Sequence, residues 1–360
     1  MIFLPGTQKC DKNVSLIRLI KSLSSFRSMP LIPVGKGDFR LLPQFAEGDF
    51  PGYELYLPEF DDKVYNCLEA LPGHIKIISI HQPPSVRVDG QLHRSNMVNF
   101  GRIGEATVFS MKKIVELCHQ RGIPQVVVHG AFYDCREREQ QEAFSLFTSR
   151  LKSLSHPEVE LLCENDALWG PDHYSIHSLL CTMENFLLLN KLMDGKIKIT
   201  LDIEHFLITH YFTRFLGSIT ARDTDFYVGS EERGELLQKD FLSFHAPQEN
   251  VLKQTLYSSL GQFISFFNDQ IEMVHLNGSD FHNFMFDAGK KLPLIGEHLP
   301  LGFDQGGVKD RIDYGLLVVA LQKLPHHKNI PLVLEVWRKD PGEFIAEMRR
   351  SKQFLTNYLS

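Results

Sequence analysis

The chain has 360 residues, of which 43% are hydrophobic and 23% charged, and its formal net charge is −6 at pH 7. This composition is typical of a soluble protein with a large core, and the acidic balance excludes a globally basic surface for nucleic acid. A nucleic-acid substrate is not excluded, because a local groove or a bound dication attracts phosphate even on an acidic protein.

The cysteines and the start of the chain favour a cytoplasmic protein. Six cysteines occur without a C-x-x-C pair, and most stand in apolar runs such as Leu161-Leu162-Cys163. This pattern predicts buried thiols in a reducing compartment. The first apolar run is too short for a signal peptide, and no segment approaches a membrane span. We therefore predict a cytoplasmic protein with no membrane partner.

The predicted elements alternate between strands and helices after an irregular start. Residues 1–50 contain a helical pattern at Val14–Leu23 and a candidate first strand next to prolines. The predicted strands are Leu31–Val34, Tyr53–Leu57, Ile75–His81, Gln125–His129, Val159–Glu164, Ile197–Asp202, Ile271–Leu276 and Ile330–Glu335. The predicted helices are Asp61–Leu71, Glu105–Arg121, Arg136–Ser153, Ile176–Met193, Glu249–Asn268, Ile312–Leu324 and Pro341–Leu359. Short, continuous apolar strands alternating with helices indicate a parallel sheet covered on both faces, and eight of them predict one (β/α)8 TIM barrel over residues 1–360.

Two connections are longer than the rest. The segment 206–248 carries charged and turn residues and is interpreted as an insertion. The segment 278–311 is rich in Gly, Pro and His and is predicted to be a long active-site loop. Both follow the carboxyl ends of strands, which is the face where barrel active sites form.

Ionisable side chains stand at or just beyond the ends of six consecutive predicted strands: His81, His129, Glu164, Asp202, His275 and Glu335, with His205 close to Asp202. Any one of them alone is more simply a hydrogen-bonding loop residue. A ring of ionisable side chains in one buried layer needs cations, because their attraction offsets the free-energy cost of removing the charged groups from water. Imidazole and carboxylate donors together suit Zn²⁺, Mn²⁺ or Fe²⁺, and this many ligands predict two or three ions. We interpret Glu164 and Glu335 as catalytic, and Glu204 as either support for a ligand or a solvated residue.

The order of these motifs resembles the xylose isomerase-like barrels, and within them the endonuclease IV family of abasic-site endonucleases. The resemblance covers roughly residues 53–335. It rests on His81, His129, Glu164-Asn165, Asp202-x-x-His205, His275-Leu276-Asn277, His298-x-x-Leu301-Gly302 and Leu334-Glu335. It implies a zinc cluster that hydrolyses the phosphodiester beside an abasic site in DNA, with a metal-held hydroxide as nucleophile. By matching position, the first ion has His81, His129 and Glu164; the second has Glu164, Asp202, His275 and Glu335; the third has His205 and His298.

The chain departs from the endonuclease pattern at several positions. The aspartate expected two residues before His298 is Gly296, so Glu297, Asp280 or His282 would have to replace it. The tyrosine expected three residues after His81 is Pro84, and the H-L-N-D run ends in Gly278 instead of aspartate. The insertion at 206–248 is also foreign to that family.

Other functions stay open beside the phosphodiesterase. A sugar isomerase or epimerase would need one metal on Glu164, Asp202, His275 and Glu335, with carboxylates that move a proton in a small sugar. A multi-iron oxidase and a non-catalytic interaction barrel are further alternatives on the same fold. The extra histidines favour the hydrolase. A DNA substrate would use basic and aromatic residues at the mouth of the barrel, with Arg87, Arg94, Arg102, Phe132 and Tyr133 as candidates.

Overall fold

Eight parallel strands form a closed barrel in the computed structural model. It describes residues 31–61, 63–134, 139–167, 176–216, 231–287, 292–305, 307–325, 329–336 and 340–359. The barrel strands are β1 Leu31–Gly37, β2 Tyr53–Tyr56, β3 Ile77–His81, β4 Gln125–His129, β5 Glu160–Glu164, β6 Lys198–Asp202, β7 Ile271–Leu276 and β8 Ile330–Leu334. Each strand pairs with the next in the chain, and β8 pairs with β1. The predicted (β/α)8 barrel is therefore confirmed, whereas the assignment of all 360 residues to one domain stays a prediction.

Helices separate the barrel strands from β2 onward, and only a 3-10 turn lies between β1 and β2. Their bounds are α1 Lys63–Glu69, α2 Arg102–Arg121, α3 Gln140–Leu154, α4 Met183–Leu192, α5 Ile203–Leu216, α6 Glu231–His245, α7 Glu249–Phe267, α8 Tyr314–Leu321 and α9 Pro341–Leu359, with 3-10 turns at Leu42–Gln44 and Ala246–Gln248. The helix predicted at Val14–Leu23 lies outside the described residues.

The inside of the barrel consists of an apolar layer below an ionisable one. The apolar layer is a buried cluster of Val34, Val127, Leu162, Met273 and Val333. Side chains two residues apart on a strand face the same side, so the next inward positions form the layer above. Those positions are Lys36, His129, Glu164, His275 and Glu335. The apolar layer thus closes the barrel beneath the charged groups.

The helix predicted at Ile176–Met193 begins later, at Met183. Thr182 is its N-cap, and the Thr182 side chain and Asn185 form a reciprocal capping box. Residues Ile176–Ser178 form instead a short antiparallel strand with Phe132–Asp134. The cap defines the start of the helix because it satisfies backbone N–H groups that have no partner inside the helix.

The connection at 206–248 is more helical than predicted. Helix α5 begins directly after β6, and α6 covers the second half of the segment. Aromatic and β-branched residues give α5 a low intrinsic helix propensity. Its helical form follows from burial, because Leu207, Ile208, Tyr211 and Phe212 are almost fully inaccessible to solvent.

The segment at 278–311 is a long connection between β7 and α8, as predicted, and it contains short strands of its own. Gly278–Asp287 and Leu292–Leu299 form an antiparallel hairpin, and Asp304–Gln305 pairs with Val308–Lys309. These strands pair with each other instead of joining the barrel. They therefore do not need the continuous apolar run by which the barrel strands were identified.

Four cysteines lie in the described part of the chain, and all four are free thiols. They are Cys67, Cys118, Cys163 and Cys181, of which Cys118 and Cys163 are buried, as their apolar neighbours in the sequence predicted. No helix among the described residues combines the length and apolar character needed to cross a membrane.

Candidate metal centre

Seven of the eight predicted ligands meet at the carboxyl ends of the barrel strands. Three groups have potential donor atoms that all lie within 4.8 Å of one another. The groups are His81, His129 and Glu164; Glu164, Asp202 and His205; and Glu54, His81, His275 and Glu335. The eighth predicted ligand, His298, is in none of these groups of described residues.

Glu164 lies at the centre of the site and faces two sets of histidines. Its Oε2 is 3.1 Å from His81 Nε2 and 3.6 Å from His129 Nδ1. Its Oε1 is 3.0 Å from His275 Nδ1 and 4.0 Å from His205 Nδ1. The side chain is almost fully buried. The two oxygens of one carboxylate therefore point to different halves of the site.

The D-x-x-H spacing places two ligands at the start of a helix. Asp202 ends β6 and is the N-cap of α5, because its Oδ1 accepts a hydrogen bond of 2.7 Å from the backbone N–H of His205. Asp202 Oδ2 accepts no hydrogen bond from the described residues, although it is buried. It lies 3.7 Å from His205 Nδ1 and 4.0 Å from His275 Nδ1.

In the Glu164-Asn165 pair, Glu164 provides a carboxylate and Asn165 has a structural role. The Asn165 amide donates to the backbone oxygen of Asp202 at 2.8 Å and accepts from its backbone N–H at 2.7 Å. These two bonds tie the end of β5 to the end of β6. They hold Glu164 and Asp202 side by side.

Four histidines each have one ring nitrogen held by an oxygen acceptor. The pairs are His81 Nδ1 with the Gln82 carbonyl at 3.0 Å, His129 Nδ1 with Asp166 Oδ1 at 3.0 Å, His205 Nδ1 with the Asn165 carbonyl at 2.8 Å, and His275 Nε2 with Glu54 Oε2 at 3.3 Å. Such contacts fix the orientation and tautomer of metal-binding histidines. In His81 and His275 the other ring nitrogen faces Glu164 and can bind a cation, whereas in His129 and His205 the held Nδ1 is itself the nitrogen within 4.0 Å of Glu164.

Sequence reasoning missed Asp166, which supports His129. Asp166 Oδ2 accepts a hydrogen bond of 2.7 Å from Ser178 Oγ, and its Oδ1 faces His129. A side chain at Gly130 would place its Cβ 2.1 Å from Asp166 Oδ2, so only glycine leaves room for this carboxylate. Asp166 therefore has a defined position beside the ring.

Replacing Asp166 by alanine is expected to weaken binding of one metal ion by about 10–100-fold, because His129 loses the acceptor that orients it. Asp166→Asn keeps an acceptor oxygen and is expected to lose less. Titration with Zn²⁺ in competition with a chromophoric chelator measures the Zn²⁺ affinity of both variants. Asp89→Asn is the control, since Asp89 is exposed and pairs with the exposed Arg102. Unchanged affinity in Asp166→Ala would contradict the supporting role.

Two further ionisable residues in the site, Lys36 and Glu54, were also missed. Glu54 is fully buried on β2, and its Oε1 lies 2.9 Å from Lys36 Nζ. The Lys36 ammonium also contacts Glu335 Oε1. A charged residue inside a short buried strand is the sequence signal that would have identified them.

His298 lies beside the site on the hairpin. Its Nδ1 is 2.6 Å from the Asn277 amide nitrogen, 3.4 Å from Glu335 Oε2 and 3.7 Å from Glu204 Oε2. Glu204 is fully buried, and its two oxygens each lie 3.3 Å from the backbone N–H of His298. Of the two roles left open for Glu204, support for a candidate ligand is therefore the one that the structure favours.

Asp280, a candidate replacement for the aspartate absent at position 296, has partners in the hairpin. It pairs in register with Gly296. Its carboxylate accepts from Arg311 Nε at 2.6 Å and from the backbone N–H of Lys309 at 2.9 Å. Asp280 is in none of the three groups of described residues, and its role as a ligand of the third ion stays a prediction.

Buried carboxylates make the site strongly acidic. Burial raises the pKa of Glu164, but His129 and His275 lower it more and hold it well below its usual range. For Glu335, the effect of burial on the pKa is likewise outweighed by Lys36 and His275. Burial, with Glu335 and Glu164 nearby, raises the pKa of Asp202 to about 6.

The same carboxylates change the pKa values of the histidines. Burial lowers the pKa of His205, but Asp202 and Glu164 raise it more, to about 9. Burial is also outweighed at His275, where Glu54 and Glu335 raise the pKa well above its usual value. Burial lowers the pKa of His298 to about 4. The carboxylates therefore favour the protonated form of His205 and His275, whereas burial lowers the pKa of His81 and His298 in spite of the carboxylates beside them.

The donor set fits divalent cations. Metal–nitrogen and metal–oxygen bonds of about 2.0–2.2 Å place two ligands of one ion within roughly 4.4 Å of each other. The donor atoms of each group satisfy that limit or come close to it, at 4.8 Å or less. The unbonded, buried Asp202 Oδ2 is the kind of atom that a cation satisfies.

Comparisons with known proteins support the fold. No family model matches the chain, and no curated protein matches it in sequence. Among solved structures, a D-tagatose 3-epimerase-like protein has a TM-score of 0.53 at 14% identity, covering 90% of this chain and 96% of that one. A xylose isomerase domain protein from Planctomyces limnophilus has a TM-score of 0.51 at 10% identity, covering 91% and 95%.

The endonuclease IV of Thermus thermophilus also matches, with a TM-score of 0.46 at 15% identity, covering 91% of this chain and 99% of that one. At these identities the similarities show the fold alone. The chain has a closed (β/α)8 barrel, the fold that it shares with these structures. The similarities do not decide between hydrolase and isomerase chemistry, so the function has to be argued from the site.

Proposed function

We propose that the protein is a metal-dependent hydrolase that cleaves phosphodiesters with two divalent ions bridged by Glu164. The observation that carries this proposal is the position of the Glu164 carboxylate. One oxygen faces His81 and His129, and the other faces His275 and His205. A carboxylate shared in this way is typical of two-metal hydrolytic sites.

The first ion would have His81, His129 and Glu164 as ligands. The second would have Glu164, Asp202 and His205, with His275 Nδ1 and Glu335 beside them. Paired divalent ions activate a water and stabilise the attacking and leaving oxygens of a phosphoryl transfer. Imidazole with carboxylate suits Zn²⁺ best, and Mn²⁺ or Fe²⁺ next.

The chain itself would orient these ligands and hold protons. Asn165, Asp166 and Glu54 would each fix one histidine ring by accepting at one of its nitrogens. Glu335, between Lys36 and His275, would be the second catalytic carboxylate, because it lies within the site, 3.0 Å from His275 Nδ1 and in one group with His81. The apolar layer beneath excludes water from below.

DNA with an abasic site is the lead substrate because of the resemblance to endonuclease IV. At the mouth, the Arg94 guanidinium lies 3.9 Å from the centroid of the Phe132 ring, an arrangement on which a base could stack. Arg87 and Arg102 are instead paired with Glu59 and Asp89. Their charge is thereby partly neutralised, so Arg94 is the best candidate for a phosphate contact.

The test is metal content together with phosphodiesterase activity. Protein purified without added metal or chelator is expected to carry two equivalents of Zn²⁺, Mn²⁺ or Fe²⁺ by elemental mass spectrometry. It is expected to cleave an oligonucleotide with one synthetic abasic site. Chelation should abolish cleavage, and restoring the metal should return it. One equivalent of metal without cleavage of any phosphodiester would contradict the proposal.

A second function is a one-metal sugar isomerase or epimerase. It is supported by His275 Nδ1, which lies 3.0 Å from both Glu164 Oε1 and Glu335 Oε1. The Glu164 and Glu335 carboxylates thus lie on either side of the same imidazole nitrogen. Two groups that transfer a proton to and from one sugar would have to lie this close together. The similarity to a D-tagatose 3-epimerase-like structure agrees with this alternative. One equivalent of metal, together with turnover of a ketohexose followed by chromatography, would establish it instead.

A further inference from the structure

One of the three candidate metal groups lies against a positive charge of the chain itself. Two of the groups share Glu164. The third consists of Glu54, His81, His275 and Glu335. The Lys36 ammonium lies 2.9 Å from Glu54 Oε1 and also contacts Glu335. Both carboxylates of this group are therefore paired with a cation of the chain itself.

The backbone determines the position of this ammonium. Lys36 is the next inward residue after Val34 on β1, so it belongs to the layer of the candidate ligands. It is the register partner of Glu54 on β2. Its side chain is only 13% exposed. A lysine that is buried in this way stays charged only beside carboxylates, and two are present here.

The two oxygens of the buried Glu54 carboxylate have different partners. Oε1 lies 2.9 Å from Lys36 Nζ but accepts no hydrogen bond from the described residues, whereas Oε2 accepts from Ser79 Oγ at 3.1 Å and from His275 Nε2 at 3.3 Å. Since an ionised carboxylate only accepts, His275 donates through Nε2. Its Nδ1, which is 3.0 Å from Glu164 Oε1, then faces the metal site. Glu54 thus has the place of an acceptor that orients a metal-binding histidine.

We propose that Lys36 is a permanent cation of the metal centre: its ammonium takes the place of a metal ion in the group of Glu54, His81, His275 and Glu335, and Glu54 positions His275 instead of binding metal. This inference rests on the proposed two-metal function. A dication among the same oxygens would lie close to the ammonium, and like charges repel strongly in a buried site. Lys36 therefore keeps a metal ion out of this group and leaves the two ions that share Glu164.

Metal stoichiometry tests the inference without relying on activity. Wild-type protein and three variants are saturated with Zn²⁺, desalted and measured by elemental mass spectrometry. Wild-type is expected to hold two equivalents. Lys36→Met keeps the length of the side chain without its charge and is expected to hold three. Lys36→Arg keeps the charge and is expected to hold two.

Glu54→Gln separates positioning from ligation. If Glu54 only positions His275, the Glu54→Gln variant still binds two equivalents of Zn²⁺ at saturation. Competition with a chelator then shows that one of the two ions binds about 10–100-fold more weakly than in wild-type. Three equivalents in wild-type and two in Glu54→Gln would overturn the inference, because Glu54 would then be a ligand. Two equivalents in a folded Lys36→Met would overturn it as well. If Lys36→Met does not fold, unchanged affinity in Glu54→Gln overturns it. Fewer than two equivalents in wild-type would instead contradict the proposed function.

Discussion

Replacing Glu164 by glutamine is expected to remove at least one of the two metal ions and to lower kcat/KM by on the order of 10³-fold or more, which corresponds to about 4 kcal/mol of transition-state stabilisation. The physical reason lies in the two oxygens. Each faces a different set of histidines, and an amide keeps only one oxygen and no charge. Metal content and the rate of abasic-site cleavage measure the two effects.

The barrel of Glu164→Gln is expected to stay folded, because the change keeps the shape of the side chain and removes a buried charge. Far-UV circular dichroism and the thermal midpoint check this. Glu160→Gln is the matched control, since Glu160 begins the same strand but is exposed at the opposite end of the barrel. Its metal content and activity should equal those of wild-type. Full activity in Glu164→Gln would exclude the bridging role.

Metal-free protein is expected to lose stability as the pH rises from 6.5 to 9, whereas metal-loaded protein is not. In the metal-free state the pKa of His205 is raised from 6.5 to about 9. A group whose pKa is raised on folding stabilises the protein fully below its unfolded pKa, and this contribution disappears as the pH rises through the folded pKa. The interval corresponds to about 3 kcal/mol from His205 alone, with the pKa values of His129 and His275 shifted in the same direction.

Bound metal reverses the dependence of stability on pH. The ligands must be deprotonated to bind the metal, and a higher pH favours their deprotonated forms. Urea unfolding of both forms at several pH values measures the difference. In metal-free His205→Gln, the free energy of unfolding should fall less between pH 6.5 and 9 than it does in metal-free wild-type. His210→Gln on the same helix is the control: the pKa of His210 is lowered to about 4 by burial and Arg214, so this residue does not titrate in the window. A metal-free protein equally stable at pH 6.5 and 9 would contradict the expected protonation of His205.

The barrel could be predicted from the sequence because its strands carry a local signal. Each is a short apolar run that must be buried on both faces, and helices separate the runs. The α5 helix lacked such a signal, because its aromatic and β-branched residues are helical only through packing. The hairpin of Gly278–Asp287 with Leu292–Leu299 was missed because its strands pair outside the barrel.

The predicted ligands meet because parallel strands end at the same rim, so the last inward residue of each strand lies beside its neighbours. Lys36 was missed because the predicted first strand ended at Val34, whereas β1 continues to Gly37. Glu54 was missed because it stands before the end of β2. Asp166 lies in a loop beyond β5. Its contact with His129 depends on the course of the loop backbone, which the periodic pattern of apolar residues does not predict. His298 was placed by resemblance alone, and it lies beside the three groups, not within them.

The pairing of β1 with β8 has a consequence for the order of events in folding. The contact between Lys36 and Glu335 joins positions 299 residues apart, so it cannot form before nearly the whole chain has left the ribosome. Contacts at such sequence separation form slowly, because a long loop must close first. Until then, the carboxylates and histidines of the rim are spread along a growing chain. Metal capture is therefore expected to follow closure of the barrel, and the supply of metal would act on finished molecules and not on nascent ones.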